Sequence, residues 1–340
     1  MNFINILTAI YFIINSSING LYLNNNNNIN DANHTNVTLD CSNENDRLFR
    51  MEPNGIIIGV KKSGTYALLR YLSINPHVRS ALKINDCLLN EIHYFDNDSN
   101  YELGIEWYKS QMPYVCKNNN DDRIDLSKIR VIEKTPGYFR NEKVPERVYK
   151  LNPNMKIILI VRDPVKRLQS ELTHCDTRQK KYNLDRKCFH LNTYFETLFR
   201  NNSTSIINNE LKQNRFIRNS IYYLDMLKWF KYFNRTNIFV INGENFIKSP
   251  WIELNKLENF LNIDNFIQRK HFRFVKNKNF YCINELKSTN RTAIINGCLG
   301  KNKGRKNHVY LSDYVKNELK MFFKPWNQLF FKLIGTNLNW

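Results

Sequence analysis

The sequence predicts an α/β fold, a central mostly parallel sheet flanked by helices, and three observations carry that expectation. Strand-like apolar runs recur at Gly55–Val60, Ile129–Ile132, Lys156–Val161 and Asn237–Ile241. The stretches around Leu68–Ser73, Glu146–Leu151, Val165–Leu172, Ile221–Phe233 and Ile252–Leu261 have helical apolar spacing. Two of the apolar runs end on a polar turn that opens a helix: Gly59-Val60-Lys61-Lys62-Ser63-Gly64-Thr65 behind the first, and Arg162-Asp163-Pro164 behind the third. Strands that alternate with helices make a sheet covered on both faces, whose ligands bind at the carboxyl ends of the strands. The chain has no internal repeat.

Taken in order, Phe3–Leu23 is an uncharged apolar stretch that suits a signal peptide or a short signal anchor. The Asn-rich run Asn24–Asn30 and its polar sequel to about Arg50 offer little to bury and read as a stem. The expected organisation is therefore residues 1–23 as the leader or anchor, 24–50 as the stem and 51–340 as one folded domain, starting near Pro53. Fifty Lys and Arg against thirty-one Asp and Glu leave a net charge of +19, and the first 45 residues hold no Lys or Arg, so the excess belongs to the folded part. Between Gln268 and Lys306, eleven Lys and Arg face Glu285 alone. Such charge calls for a polyanionic partner: nucleic acid, an anionic membrane or an acidic polysaccharide. Sequons at Asn33, Asn36, Asn97, Asn201, Asn202, Asn234 and Asn290, with the apolar N-terminal segment, favour the secretory pathway and count against nucleic acid. In an oxidising lumen the seven cysteines, Cys41, Cys87, Cys116, Cys175, Cys188, Cys282 and Cys298, include at least one bridge and leave an odd thiol; none has the CxxC spacing of a zinc site.

The first basic turn is built for an anion. The first turn of a helix leaves backbone N–H groups unpaired and carries partial positive charge, so phosphate or sulfate is held there by backbone and dipole together. Lys61 and Lys62 add full charges, and Gly59 and Gly64 let the backbone come close. A nucleotide triphosphatase loop ends in GK[ST], whereas here Thr65 follows Gly64 directly and the lysine stands at 62, which disfavours a kinase or GTPase. Arg162 at the end of its strand and Ser170 two helical turns on suit a second phosphate, the alternative being a surface ion pair of Arg162 with Asp163. The segment Glu91-Ile92-His93-Tyr94-Phe95-Asp96-Asn97 packs two carboxylates and an imidazole among aromatic residues, a setting for a general base; if extended, Glu91 and His93 project to one side. Asp96-Asn97-Asp98 also spells the DxD of many metal-dependent glycosyltransferases, a short and common match. Lys134-Thr135-Pro136-Gly137 lies at another strand end, on the same rim, where Lys134 suits an acidic substrate. Lys303-Gly304-Arg305-Lys306-Asn307 is a basic, glycine-containing loop suited to closing over an anion.

In this order, GVKKSGT, NEIHYFD, EKTPGYF, KVPERVYKLNPN, RDPVKRLQS, FYC and CLGKNKGR resemble the heparan sulfate glucosamine 3-O-sulfotransferases, a Golgi group within the P-loop-like sulfotransferase superfamily, over roughly Asn54 to Trp340. The resemblance implies the P-loop-like sulfotransferase fold and the donor 3′-phosphoadenosine 5′-phosphosulfate. It implies that Lys62, Ser63, Gly64, Thr65 and Tyr66 hold the 5′-phosphosulfate, that Arg162 and Ser170 grip the 3′-phosphate, and that Tyr281 and Lys303–Asn307 add donor contacts. It implies Glu91 as catalytic base with His93 and Asp96 in support, Lys134–Gly137 in acceptor binding together with the segment Glu91–Asn97, and a Cys282–Cys298 disulfide. Sulfuryl transfer is mostly in-line positioning plus stabilisation of charge on the departing phosphate, a role for Lys62, and requires no metal. The partner implied is heparan sulfate and the compartment the Golgi lumen, with or without an N-terminal membrane anchor.

The chain departs from the family in four places, one of them a loop between Cys282 and Cys298 that is long for the family. Tyr66 stands where the family has arginine, which removes a forked cation. Ser63 replaces a glycine. Cys175–Cys188 differs from the family's acceptor-facing stretch, and its two cysteines suit a private disulfide. Transfer to the N- or 6-O-position of the polysaccharide, or a catalytically weak heparin-binding scaffold, are the alternatives that these departures keep open.

Overall fold

The computed structural model describes residues 47–80, 91–117, 126–182, 191–284, 297–299 and 308–340. The described residues all belong to one compact unit, which spans Leu39–Trp340. The expected leader or anchor, most of the stem, Cys41, Cys87, Cys188 and the loop Lys303–Asn307 lie outside the described residues. Among those that are described, no helix is long and apolar enough to cross a membrane.

Nine strands are described: β1 (Arg47–Arg50), β2 (Gly55–Gly59), β3 (Val78–Ser80), β4 (Tyr114–Lys117), β5 (Arg130–Lys134), β6 (Lys156–Val161), β7 (Ile238–Asn242), β8 (Phe272–Val275) and β9 (Phe280–Ile283). Five form one sheet in the order β3-β5-β2-β6-β7, and every pairing in it is parallel. The expected parallel α/β sheet is thus the observed one. The central strands are continuous apolar runs because helices cover both of their faces. Side chains of a strand alternate between faces, so Ile56 and Ile58 pack with Val144, Val148, Met226 and Trp229 on one side, while Ile57 packs with Leu68, Leu72, Leu254 and Leu257 on the other. The helices Val144–Leu151 and Tyr222–Phe230 therefore back one face, and Thr65–Leu72 and Pro250–Phe260 the other.

A third apolar cluster joins the helices Pro164–Tyr182, Leu191–Asn201 and Asp313–Ile334 through Leu168, Leu172, Phe195, Leu319 and Phe323. Two small antiparallel pairs, β1 with β4 and β8 with β9, complete the sheets. Strand β1 falls inside the segment read as a stem, so regular structure begins before Pro53.

Candidate active site

Strand β2 ends at Gly59, and the chain turns through Lys62 (φ 75°) and Gly64 (φ 104°) into the helix Thr65–Leu72. Both are left-handed conformations, which glycine adopts without steric cost and lysine does not. Ser63 is buried at the centre of this turn, and its Oγ has no hydrogen-bond partner among the described residues. A buried hydroxyl with no partner, at the opening of a helix, fits an anionic oxygen. Arg167, fully buried, supports the loop from behind: it donates to Ser220 Oγ (2.5 Å) and Phe216 O (2.6 Å), pairs with Glu171, and approaches the Lys61 carbonyl at 3.5 Å.

Strand β6 delivers Arg162 to the neighbouring corner. Asp163 does not pair with it: the Asp163 carboxylate accepts from the backbone N–H of Val165 (2.8 Å) and Lys166 (3.3 Å) and caps the helix that carries Ser170. Arg162 Nε instead donates to Glu244 (3.2 Å), which Lys166 also contacts (3.1 Å). Burial pushes the Glu244 carboxyl up, but Arg162 and Lys166 outweigh it and hold the group below its usual range. Gly243 joins the two corners. A Cβ there would lie 2.6 Å from the Val161 carbonyl, 2.7 Å from Arg162 Cγ and 3.5 Å from the Ser63 carbonyl, so the basic loop and Arg162 flank one backbone position at the end of β7.

The acid–base cluster stands at the end of β5. Residues 94–96 form a turn and 91–93 belong to no strand, with His93 at φ 52°, so the extended arrangement considered for Glu91 and His93 is not the one present. Buried Ile92, Tyr94 and Phe95 fix that turn; Tyr94 stacks on Tyr108 at 4.5 Å between centroids, and Phe95 meets Tyr138 edge-on at 5.5 Å. The turn brings Glu91 and His93 together: His93 Nε2 is 3.5 Å from Glu91 Oε2, and His93 Nδ1 is 3.0 Å from Asp96 Oδ1. Lys134, 4 % exposed, donates to Glu91 Oε1 at 2.7 Å. Asp96, His93, Glu91 and Lys134 thus form one line of alternating charge. Burial pushes Glu91 up, but the His93 hydrogen bond and the Lys134 ammonium hold it at about 2. Hydrogen bonds to Asp96 and then Glu91 raise His93 to about 10, against its partial burial.

Gly137 permits this packing, since a Cβ there would stand 2.6 Å from Asp96 Oδ2. Thr135 and Pro136 are buried beneath the cluster. The DxD residues diverge: Asp96 serves His93, Asn97 caps the helix Asp98–Glu102, and Asp98 pairs with Lys143 (2.7 Å) and Arg147 (2.6 Å).

Tyr281 lies on β9, its ring 5.2 Å from Trp251 and 4.9 Å from the Arg269 guanidinium, and its carbonyl accepts from Tyr71 of the first helix (2.5 Å). The adjoining Cys282–Cys298 disulfide is formed, with S–S 2.06 Å. Cys175 is also disulfide-bonded. Tyr66 is half-buried, and Arg70 one helical turn on donates to its hydroxyl (3.4 Å), so a guanidinium stands beside the tyrosine.

A Sulfotransferase domain model matches residues 52–331. Heparan sulfate glucosamine 3-O-sulfotransferase 5 of Mus musculus and that of Homo sapiens are each 36% identical to this chain over 295 residues, covering 86% of the chain and 75% of the relative. This chain belongs to the sulfotransferase family. Heparan sulfate glucosamine 3-O-sulfotransferase 3B1 of Homo sapiens is 32% identical over 288 residues, 85% of this sulfotransferase and 65% of that relative. A sulfotransferase from Alicyclobacillus acidocaldarius shares the fold, with TM-score 0.54 and 18% identity over 84% of this chain and 97% of that one.

The residues fit the donor that a sulfotransferase domain implies, 3′-phosphoadenosine 5′-phosphosulfate. The orphaned Ser63 hydroxyl and the left-handed turn suit its 5′ end, and the Arg162 side chain and the Ser63 carbonyl both lie against Gly243. Beside the sulfotransferase's basic loop lies a cavity of about 280 Å³ lined by Lys61, Arg140, His174, Arg178 and Arg215, with Glu171 as its one carboxylate among the lining groups. Sequence reasoning gave no role to Glu133, Arg167, Gly243 or Glu244. A glutamate inside the apolar run of β5 and an Asn-Gly-Glu after β7 were the only local signals.

Proposed function

We propose that this sulfotransferase transfers a sulfuryl group from 3′-phosphoadenosine 5′-phosphosulfate to the 3-hydroxyl of a glucosamine residue in heparan sulfate. The observation that carries the reading is the carboxylate of Glu91, held ionised between His93 and buried Lys134 at the end of β5, the strand that pairs with the one feeding the basic loop. Glu91 accepts the proton of the sugar hydroxyl, the hydroxyl oxygen bonds to sulfur, and the bond from sulfur to the 5′-phosphate oxygen breaks with its electron pair on the phosphate. Lys62 and the N–H groups at the opening of the first helix stabilise that developing charge. A carboxylate of low pKa is a weak base, so it takes the proton late, once bonding to sulfur has acidified the hydroxyl. His93 stays charged at neutral pH and orients Glu91 toward the acceptor.

The +19 net charge and the cationic cavity support a polyanionic acceptor. The disulfides of Cys282, Cys298 and Cys175 support a secretory-pathway lumen, with the Golgi as the proposed site. Incubating the protein with donor labelled on sulfur and defined heparan oligosaccharides, then mapping the label, tests the proposal. Label on the glucosamine 3-oxygen supports it, whereas label on nitrogen or the 6-oxygen assigns another position.

A further inference from the structure

Glu133 is fully buried at the end of β5, one residue before the lysine that grips Glu91, and the transfer mechanism gives it no task. Its Oε1 accepts from Thr135 Oγ1 at 2.5 Å, and its Oε2 from the Tyr108 hydroxyl at 3.3 Å. Thr135 Oγ1 also receives the His93 backbone N–H at 3.5 Å. The same turn is held a second time by the Tyr138 oxygen, which accepts the backbone N–H groups of Tyr94 (3.0 Å) and Phe95 (3.4 Å). One hydroxyl, that of Thr135, therefore joins Glu133 to the backbone of the turn that carries His93 and Asp96. We propose that Glu133 is a positioning residue whose ionisation sets the pH response of sulfuryl transfer, acting through Thr135 on that turn. The proposal rests on the sulfotransferase mechanism above.

The charge of Glu133 decides which way the hydrogens around it point. A hydroxyl donates one hydrogen, and a carboxylate only accepts. With Glu133 ionised, Thr135 donates to Oε1 and Tyr108 donates to Oε2, so both hydrogens point toward the carboxylate and the Thr135 oxygen is left to the His93 N–H. A proton on Oε1 reverses this: Glu133 donates to Thr135, whose own hydrogen loses its acceptor while its oxygen takes two donors, Glu133 and the His93 N–H. A proton on Oε2 strands the Tyr108 hydrogen in the same way. Buried polar groups left in this state are costly, and the cost falls on the backbone that fixes His93.

The groups that face Glu133 are few. They are Lys134 and Thr135 on its own strand and the residue after it, Tyr138 from the following turn, Tyr108 from the helix Gly104–Ser110, and Asp96 from the turn of residues 94–96. Burial raises the carboxyl to about 7, with Asp96 adding to the rise and Thr135, Tyr108 and Lys134 opposing it. Glu91 at about 2 and His93 at about 10 both lie well away from that value.

The test is the pH profile of transfer for the full chain and for Glu133→Gln, which keeps an acceptor for Thr135 but no longer titrates. Wild type is expected to lose about tenfold in rate one unit below its midpoint near 7, and Glu133→Gln to run flat through the same interval. Tyr108→Phe removes one donor to the carboxylate and is expected to move the midpoint to higher pH, which keeps the test decisive if Glu133→Gln fails to fold. Carbon-13 spectra of glutamate carboxyls, with Glu133 assigned by difference, read the same titration without any acceptor. That arm separates this inference from the choice of substrate. A Glu133→Gln profile with the wild-type limb intact, or a Glu133 resonance with no titration near neutrality, overturns the proposal.

Discussion

Replacing Glu91 by glutamine changes one oxygen to an amide and removes one charge from a line of four. The amide oxygen still accepts from Lys134, 2.7 Å away, but its NH2 then meets the protonated His93, whose Nε2 lies 3.5 Å from the lost oxygen. Lys134 is left as a buried ammonium with no carboxylate, which costs about 1–2 kcal/mol after allowance for the solvent exposure of Glu91. The effect on rate is expected to be larger. A positioned general base is worth about 10²–10⁴ in rate, or about 3–5 kcal/mol of barrier. Transfer of labelled sulfate should therefore fall by two to four orders of magnitude while calorimetry with 3′-phosphoadenosine 5′-phosphate shows unchanged donor-site binding. A Glu91→Gln protein that folds, binds the nucleotide and transfers sulfate at near wild-type rate refutes the assignment of the base.

Gly243→Ala places a methyl 2.6 Å from the Val161 carbonyl and 2.7 Å from Arg162 Cγ, so it should cost about 1–3 kcal/mol of stability and weaken nucleotide binding, measured by melting and calorimetry. Unchanged affinity would show that Arg162 does not share the crevice with the basic loop. Since the folded pKa of His93 is raised from 6.5 to about 10, its contribution to stability is full below about pH 6.5 and lost as pH rises through 10. The melting-temperature gap between wild type and His93→Asn should close over that interval, and a gap that persists above it contradicts the pairing with Glu91 and Asp96.

The parts of the fold legible in the sequence are those held by local pattern. Ile56–Ile58 and Ile157–Ile160 are buried on both faces, so their continuous apolar character alone marks central strands. Val78–Ser80 is too short to show a pattern, and β1 needs β4, far along the chain, to exist at all. The helix Asp313–Ile334 was missed although Val315, Leu319, Phe322, Phe323 and Phe330 keep helical spacing, because Pro325 interrupts it. In the site, residue types and loop chemistry were readable, and the contact between Glu91 and Lys134 was not, because 43 residues separate them. Glu91 and His93 do meet, but through a left-handed turn at His93 that an alternating pattern does not reveal. Asp163 illustrates the opposite error of proximity: adjacent to Arg162, it caps a helix, while the arginine reaches Glu244.

The central claim is that one crevice holds both charged ends of an adenosine bisphosphate, with the loop around Lys62 and Ser63 at one end and Arg162 at the other. Calorimetry of Arg162→Ala with 3′-phosphoadenosine 5′-phosphate and with adenosine 5′-phosphate tests it directly. Loss of a charge-assisted contact should weaken the bisphosphate by about 10- to 100-fold and leave the monophosphate at wild-type affinity. Equal affinity of both proteins for the bisphosphate, or an equal loss for both nucleotides, contradicts the account.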